Sequence, residues 1–402
     1  MADPLQVYLF DLDGVLITPG GYNAALHATV DRFAEAMGIG ESTLSESAIE
    51  TFAVLGMGLE WDSSAICLGR LVFELWKADP ELRLAGNFPA MASAIAGRRP
   101  AHPAIDYRAW AERVARATPA QGRAPLAALQ LLQEEARREA DGFRLAEITH
   151  ALHLILGNTR DLSTSVTMSV IQHFTLGSSL YAEVYGRPAD FETPSLLRQF
   201  DRPALIESDR RMLEIAVRQK RALAAVFTLR LSRPRDLEVS GPEFAPEAEL
   251  ALQSAGMPWL PMVGYGHVRW LAAQHDAAPD AYVKPSPVHA LSALARAAGG
   301  GERESLEAAF DLWHSGKVGA PYDTLRKRRP TLHVFEDTAN SVRGVCEAAE
   351  RLRAHGIGAE CRAYGIASSP EREAALREMG IQVFPHLAPA LRAAGIAPVG
   401  GL

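Results

Sequence analysis

The sequence is short of cysteine, of basic residues and of long apolar runs. Its 402 residues include only Cys67, Cys346 and Cys361, which form no CxxC pair and are too few for a disulfide framework in a chain of this length. We therefore expect a reducing compartment. No apolar run approaches the roughly 20 residues of a membrane-spanning helix. The N-terminus shows no basic stretch followed by an apolar one, so no signal peptide is predicted and we expect a cytoplasmic protein without membrane association.

Basic residues are outnumbered: 41 Lys and Arg face 48 Asp and Glu, which gives a formal net charge of −7. This balance provides no electrostatic footprint for nucleic acid and no polybasic signal for an anionic membrane. The apolar fraction of 48% and the charged fraction of 22% are those of an ordinary globular chain. At ~150 residues per domain, the length predicts about two or three structural units.

The order of sequence patterns predicts an α/β fold. A short apolar run, Val7–Phe10, is typical of a buried strand. From about residue 23 to about residue 223 the apolar residues recur at helical spacing, and residues 162–185 are predicted to form one helix. Strand-like runs then alternate with helical ones, at 224–228, 281–283, 331–335, 361–366 and 381–384. This alternation predicts a parallel sheet with helices on both faces.

The first strand is separated from the others by the helical stretch. We therefore expect an α/β core domain formed by residues 1–18 and 222–402, split by an inserted α-helical domain at 19–221. A second, smaller insertion is expected between Gly299 and about residue 330. The long helices of the large insertion could also provide a homodimer surface.

Polar residues follow the predicted strands at the points where ligands bind in doubly wound sheets, outside the carboxyl ends of the strands. They are Asp11, Asp13, Thr228, Lys284, Glu336 and Asp337. This set suits phosphoryl transfer. A carboxylate can attack phosphorus to give an aspartyl-phosphate, and Mg²⁺ held by carboxylates offsets the repulsion between the two anions. A second carboxyl can act as general acid and base, while a lysine and a hydroxyl hold the transferring oxygens.

In these residues the chain resembles the haloacid dehalogenase superfamily. The match rests on the segment Asp11–Leu16 and on Thr228, Lys284–Pro285 and Glu336–Thr338, in the family's order. The Glu-Asp-Thr form is similar to a variant in the phosphoglucomutase-like branch. The resemblance implies a Rossmann-like parallel sheet with the inserted helical domain as a cap.

The resemblance also implies roles for the matching residues. Asp11 is expected to be the nucleophile, and Asp13 the general acid and base, with its backbone carbonyl on Mg²⁺. Thr228 and Lys284 are expected to hold the phosphoryl group. The metal ligands implied are Asp11, Asp13, Glu336 and Asp337.

The segment after Thr228 departs from the commoner family pattern, in which glycine often follows the hydroxyl. Ser232 is therefore an alternative to Thr228. Arg230 and Arg233 lie in the same segment, and arginine suits bidentate recognition of phosphate. We take both as candidate substrate-binding residues, with surface solvation as the alternative.

The predicted function is a Mg²⁺-dependent phosphatase acting on a small phosphorylated metabolite. A phosphomutase would use the same residues and return the phosphoryl group to another hydroxyl. A non-catalytic binding protein built on the same core is a third possibility, because a fold does not determine a function. A dehalogenase is disfavoured, since it has little use for Asp13 as an acid or for a complete Mg²⁺ site. The sequence does not identify the substrate.

Overall fold

The structure, a computed structural model, describes residues 4–57, 59–84, 86–119, 122–367 and 369–396. It consists of two compact units. The first, which we call the core unit, combines Met1–Pro19 with Asp201–Leu402, and the second, the insertion unit, is Gly20–Phe200. None of the helices in the described ranges combines the length and the apolar character needed to cross a bilayer.

The core unit is built on a parallel sheet. The strands are β1 (Gln6–Phe10), β2 (Ile17–Thr18), β3 (Arg202–Pro203), β4 (Ala222–Phe227), β5 (Met262–Val263), β6 (Thr331–Glu336), β7 (Glu360–Ile366) and β8 (Gln382–Phe384). A six-stranded sheet has the order β5-β4-β1-β6-β7-β8, with every neighbouring pair parallel. The short strands β2 and β3 pair antiparallel.

Strand β1 shows why these runs form buried strands. Val7 and Leu9 belong to one hydrophobic cluster, and Tyr8 and Phe10 to another. Because successive side chains of a strand point to opposite faces, both faces of the sheet are covered. The first cluster includes residues of the helices that follow β5 and β6, and the second includes Leu213. A continuous apolar run, rather than an alternating one, is what a strand covered on both faces requires.

The insertion unit is helical in its described parts. Its helices are α1 (Gly21–Ala36), α2 (Glu46–Val54), α3 (Glu60–Ala78), α4 (Phe88–Gly97), α5 (Tyr107–Ala117), α6 (Ala124–Glu139), α7 (Gly142–Leu156), α8 (Met168–Leu176), α9 (Ser178–Tyr185) and α10 (Leu196–Phe200). Helix α3 lies at the centre of the unit's core, since most of its residues are buried, among them Ile66, Phe73 and Trp76.

The single helix predicted over 162–185 is wrong, because α8 and α9 are separate. The break falls at Gly177, whose φ is 79°. A Cβ at this position would lie 2.6 Å from the backbone nitrogen of Ser195. The chain therefore needs glycine there both for its left-handed conformation and for its close approach to the neighbouring segment.

Helices of the core unit lie between its strands and after them. They are α11 (Glu207–Arg218), α12 (Glu247–Ser254), α13 (Tyr265–Gln274), α14 (Pro287–Ala297), α15 (Glu302–Ser315), α16 (Asp323–Arg326), α17 (Ala339–Ala354), α18 (Pro370–Glu378) and α19 (Leu387–Ala393). The result is a Rossmann-like core with helical insertions. Residues 299–330, predicted as a smaller insertion, contribute α15, which packs against α14.

The strand predicted at 281–283 is wrong. Pro279–Ala281 forms a single 3₁₀ turn, and Lys284 lies in the loop that leads to α14. The backbone N–H groups of Tyr282 and Val283 donate to the Pro279 carbonyl oxygen at 2.9 and 3.1 Å, so they are bonded within the turn and not to a neighbouring strand. The second strand at this side of the sheet is instead β5, whose two residues were too few to show a sequence pattern.

Residues 201–221 lie in the core unit, whereas the sequence pattern assigned them to the insertion. Leu213 and Ala216 of α11 share a hydrophobic cluster with Ala222 and Ala224 of β4. The helical pattern alone did not distinguish a helix of the insertion from a helix packed on the sheet.

Candidate active site

Three of the predicted positions meet at the carboxyl edge of the sheet because of the strand register. Phe10 of β1 pairs with Val226 of β4 on one side and with Phe335 of β6 on the other. Asp11 follows β1 directly, Thr228 follows β4, and Glu336 ends β6. The central three strands thus deliver their first polar residues to one edge of the core unit.

A cluster of carboxylates lies at this edge. One oxygen from each of Asp11, Glu336 and Asp337 lies within 4.8 Å of the others, and all three residues are buried. Lys284 lies between two of them: its Nζ is 2.7 Å from Asp11 Oδ1 and 2.8 Å from Glu336 Oε1. We call these four residues the acid cluster. Formally it carries three carboxylates against one ammonium group.

The pKa directions in the acid cluster follow from burial first and from this excess of negative charge second. Burial and the adjacent Asp11 raise the pKa of Glu336 well above its usual range, and Lys284 opposes this. Burial and Asp11 also raise the pKa of Asp337, to about 7. Burial works against the charge of Lys284, but the Asp11 and Glu336 carboxylates outweigh it and raise the pKa of the ammonium group. The site therefore favours the addition of positive charge.

The two oxygens of Asp11 differ in their hydrogen bonds. Oδ1 accepts from the Leu12 backbone N–H at 2.7 Å and from Lys284 Nζ. Among the described residues, none donates a hydrogen bond to Oδ2. The carboxylate is therefore fixed through Oδ1, and Oδ2 is the oxygen with lone pairs available to a ligand.

Lys284 is held in place by a histidine that the sequence analysis did not single out. The Lys284 backbone N–H donates to His289 Nδ1 at 3.2 Å, and His289 Nε2 lies 2.9 Å from the Val263 carbonyl oxygen. Burial lowers the pKa of His289 to about 3, so the ring is neutral and donates through Nε2. The Lys284 ammonium also lies 4.6 Å from the centre of the Phe227 ring, in cation–π geometry.

Asp337 has a second basic partner. Arg372, near the start of α18, donates through Nη1 to Asp337 Oδ2, and its side chain is 46% exposed. On another side, Gly14 packs against the same oxygen: a Cβ built on Gly14 would lie 2.9 Å from Asp337 Oδ2. Neither the Arg372–Asp337 contact nor the Gly14–Asp337 contact could be predicted from the sequence, because the partners lie far apart along the chain.

Asp13 is bound by Arg230. Arg230 Nε lies 2.9 Å from Asp13 Oδ2, and Nη2 lies 2.5 Å from Asp13 Oδ1. The third nitrogen, Nη1, lies 2.8 Å from Asp201 Oδ2. The Asp13 side chain is 33% exposed, whereas those of Arg230 and Asp201 are 2% and 0% exposed. Asp201 is another residue that the sequence analysis missed.

Thr228 and Ser232, the alternative candidates for one role, have different surroundings. Thr228 is buried at the end of β4, and its Oγ1 accepts from the Arg230 backbone N–H at 3.2 Å. Ser232 is fully buried, accepts from the Gly266 backbone N–H at 3.1 Å, and lies 3.0 Å from His267 Nδ1. These bonds tie Ser232 to the start of α13.

Arg233 is exposed, and its backbone N–H donates to Glu249 Oε1 at 2.9 Å. Within the described ranges, no hydrogen bond or ion pair joins its side chain to the acid cluster or to Asp13. The structure thus gathers Asp11, Lys284, Glu336 and Asp337 in one cluster and pairs Asp13 with Arg230. It does not bring Arg233 to either group.

Comparison with known proteins gives similarity of fold. No family model matches the chain, and no curated protein matches it. A crystal structure solved by the Northeast Structural Genomics Consortium as target ZR25 is similar over 97% of this chain and 98% of its own, with a TM-score of 0.64 and 14% identity. Phosphatase Tt82 from Thermococcus thioreducens covers 92% of this chain and 99% of its own, with 17% identity and a TM-score of 0.40. The similarity to the first structure shows the fold alone.

Proposed function

We propose that this chain is a Mg²⁺-dependent phosphatase of the haloacid dehalogenase type, which hydrolyses a small phosphate monoester. The observation that carries the proposal is the acid cluster. Carboxylate oxygens of Asp11, Glu336 and Asp337 lie within 4.8 Å of one another at the carboxyl edge of a parallel sheet. Lys284 contacts two of them. A nucleophile, a cation site and an anion-binding ammonium group are thus combined in one place.

The donor set fits Mg²⁺. Three buried carboxylates supply the oxygen ligands that this ion prefers. Burial and the neighbouring Asp11 carboxylate raise the pKa values of Glu336 and Asp337, and a cation beside them would favour their ionised forms. Asp11, Glu336 and Asp337 would hold the ion, together with the backbone carbonyl of Asp13. Bound there, Mg²⁺ would offset the repulsion between the carboxylates and an incoming phosphate.

In the first half of the reaction, Asp11 Oδ2 forms a bond to phosphorus while the bond from phosphorus to the ester oxygen breaks. Asp13, protonated at its carboxyl group, transfers that proton to the departing oxygen. The products of this half are the alcohol and an aspartyl-phosphate on Asp11. The bonds from Leu12 N–H and Lys284 to Oδ1 keep the attacking oxygen directed at the substrate.

In the second half, the Asp13 carboxylate takes a proton from water as the water oxygen attacks phosphorus. The bond from phosphorus to Asp11 breaks, which releases inorganic phosphate and restores both aspartates. The Lys284 ammonium and the Thr228 hydroxyl stabilise the negative charge of the transferring oxygens. A buried lysine supplies this charge effectively because water does not screen it there.

The experiment that tests the proposal is phosphate release from a panel of phosphate monoesters, with Mg²⁺ and with EDTA. We expect release by the wild type to require Mg²⁺, and to fall by on the order of 1,000-fold or more in Asp11→Asn. Asp323→Asn is the control, since this aspartate is 64% exposed and its ion-pair partner is Arg326.

Absence of release from every ester by folded wild-type protein would overturn the proposal. Equal release by the wild type and Asp11→Asn would overturn the assigned nucleophile. Turnover that requires a bisphosphate activator would indicate a phosphomutase instead.

A further inference from the structure

Arg230 connects two aspartates that lie far apart in the chain. Its Nε and Nη2 contact both oxygens of Asp13, and its Nη1 lies 2.8 Å from Asp201 Oδ2. A guanidinium group that donates two parallel bonds fixes the plane of a carboxylate as well as its position. Asp13 is the most exposed of the three, with a side chain that is 33% accessible, so these bonds limit the rotation that exposure would otherwise permit.

Asp201 is suited to anchor the arginine. Its side chain is completely buried, and Arg202, the next residue, begins β3. Strand β3 pairs with β2, and the Ala204 backbone N–H donates to the Leu16 carbonyl at 2.9 Å. The segment that carries Asp201 is therefore fastened to the segment that carries Asp13.

The backbone of Arg230 is also fixed. Its N–H donates to Thr228 Oγ1 at 3.2 Å, and its carbonyl accepts from the Tyr265 N–H at 3.0 Å. Two residues on, Ser232 packs so closely on the start of α13 that a Cβ at Gly266 would lie 2.0 Å from the Ser232 carbonyl oxygen. The arginine is thus held at its backbone and at its guanidinium group.

We propose that Arg230 is a positioning residue for Asp13, and that Asp201 holds Arg230 in the orientation this requires. The proposal rests on the proposed function, since it assigns to Arg230 the placing of the acid and base of that reaction. It gives Arg230 a role other than direct substrate binding. Asp201 then contributes to catalysis through Arg230 without touching the substrate.

The competing explanation is charge balance: Arg230 could serve only to neutralise the buried Asp201. The two explanations differ in the chemistry they affect. If Arg230 places Asp13, its loss impairs proton transfer to the departing oxygen. An alkyl phosphate needs that proton because an alkoxide is a poor leaving group, whereas a nitrophenyl phosphate does not. Loss of charge balance alone would affect both esters equally.

The experiment compares kcat/KM for an alkyl phosphate and for nitrophenyl phosphate in the full chain. This parameter includes only the steps through release of the alcohol or phenol, so the later hydrolysis of the intermediate does not obscure the comparison. The variants are Asp201→Asn, Arg230→Met and the double variant that combines them. Arg269→Met is the control, since it removes an arginine paired with Glu243 at 2.5 Å in the same unit. Thermal unfolding is recorded for each variant.

We expect the ratio of alkyl to nitrophenyl kcat/KM to fall about tenfold in Asp201→Asn and about 100-fold in Arg230→Met, and to stay unchanged in the control. The double variant removes both buried charges, so it regains stability relative to Arg230→Met. The ratio of alkyl to nitrophenyl kcat/KM stays low in the double variant, because Asp13 still lacks the arginine that orients its carboxylate.

An unchanged ratio in both single variants, with active wild type, would overturn the positioning role and leave the phosphatase proposal intact. A double variant that regains the ratio together with its stability would also overturn it, in favour of charge balance. Wild-type protein that cleaves neither ester would overturn the proposed function and this inference with it.

Discussion

Lys284 Nζ lies 2.7 Å from Asp11 Oδ1, and both side chains are almost completely buried. The same ammonium group lies 2.8 Å from Glu336 Oε1. One cation therefore separates two carboxylates that would otherwise face each other without water to screen them. We therefore expect Lys284 to contribute to the stability of the core unit as well as to the proposed chemistry.

Removal of the Lys284 charge is expected to destabilise the fold. In Lys284→Met, Asp11 and Glu336 lose their counter-ion, and breaking a buried pair from one side costs on the order of 3–5 kcal/mol. Urea denaturation measures the free energy of unfolding. Lys317→Met is the matched control: Lys317 also pairs at 2.8 Å, with Asp311, but its side chain is 74% exposed, so we expect little change. Equal effects in the two variants would contradict the stabilising role of Lys284.

Arg372 is expected to weaken Mg²⁺ binding. Its guanidinium group contacts Asp337, and it must share that carboxylate with the ion. Because the side chain is 46% exposed, water screens the repulsion, and we expect Arg372→Gln to tighten Mg²⁺ binding by only about fivefold. Isothermal titration calorimetry without substrate measures this.

The control for this measurement is Arg377→Gln on the same helix, whose ion-pair partner is Glu373. Weaker Mg²⁺ binding in Arg372→Gln would show the opposite role, in which the arginine orients Asp337 for the ion.

A side chain at position 14 is expected to disturb the acid cluster. Its φ is 74°, and a Cβ would lie 2.9 Å from Asp337 Oδ2. Gly14→Ala should therefore displace Asp337 in addition to straining the backbone. Gly380→Ala is the matched control, since its φ is 72° with no atom within 4 Å of the added Cβ.

Both Gly14→Ala and Gly380→Ala should lose about 1 kcal/mol of stability from the left-handed backbone. Only Gly14→Ala should also lose Mg²⁺ affinity and phosphate release. Similar activity in the two variants would contradict the contact with Asp337.

His333 is expected to make the fold sensitive to acid. Its ring lies between Tyr8 and Tyr364, and Nε2 is 2.6 Å from Gln6 Oε1. Burial, with a smaller effect of Arg362, lowers the pKa of His333 to about 4. In the unfolded chain the pKa is about 6.5. Above that pH the ring is neutral in both states; below it the unfolded chain binds a proton that the folded chain does not.

Stability is therefore lost as the pH falls from about 6.5 towards 4, by about 2 kcal/mol at pH 5 from this residue. Urea denaturation at pH 7.5 and pH 5 should show a smaller pH-dependent loss in His333→Gln than in the wild type. An identical loss in both would contradict the assignment to His333.

The strands could be predicted where a local pattern is sufficient. An apolar run that ends in a polar residue marks β1, β4 and β6, and the structure confirms strands at these positions. The order of strands in a parallel sheet then brings the ends together at one edge. Lys284 was expected at a strand end and instead lies in a loop. The prediction failed because the apolar residues before Lys284 are too few to distinguish a strand from a turn.

The contacts that organise the site could not be predicted. The site depends on hydrogen bonds made by Asp201, His289 and Arg372 to other residues of the core unit. A single sequence contains no signal that pairs such positions. Arg230 was identified as a candidate for phosphate binding from its residue type. Its engagement with two aspartates depends on where the chain re-enters the core unit after the insertion, which only the fold determines.

The antiparallel pairing of β2 with β3 also has a consequence for how such proteins can diversify. Ile17 pairs with Pro203, and Thr18 with Arg202, so the chain leaves the core unit and returns to it at adjacent positions. A segment entered and left through such a stem can be lengthened, shortened or exchanged between proteins without any change in the path of the sheet. Changes in the insertion can therefore accumulate while the residues at the strand ends are retained.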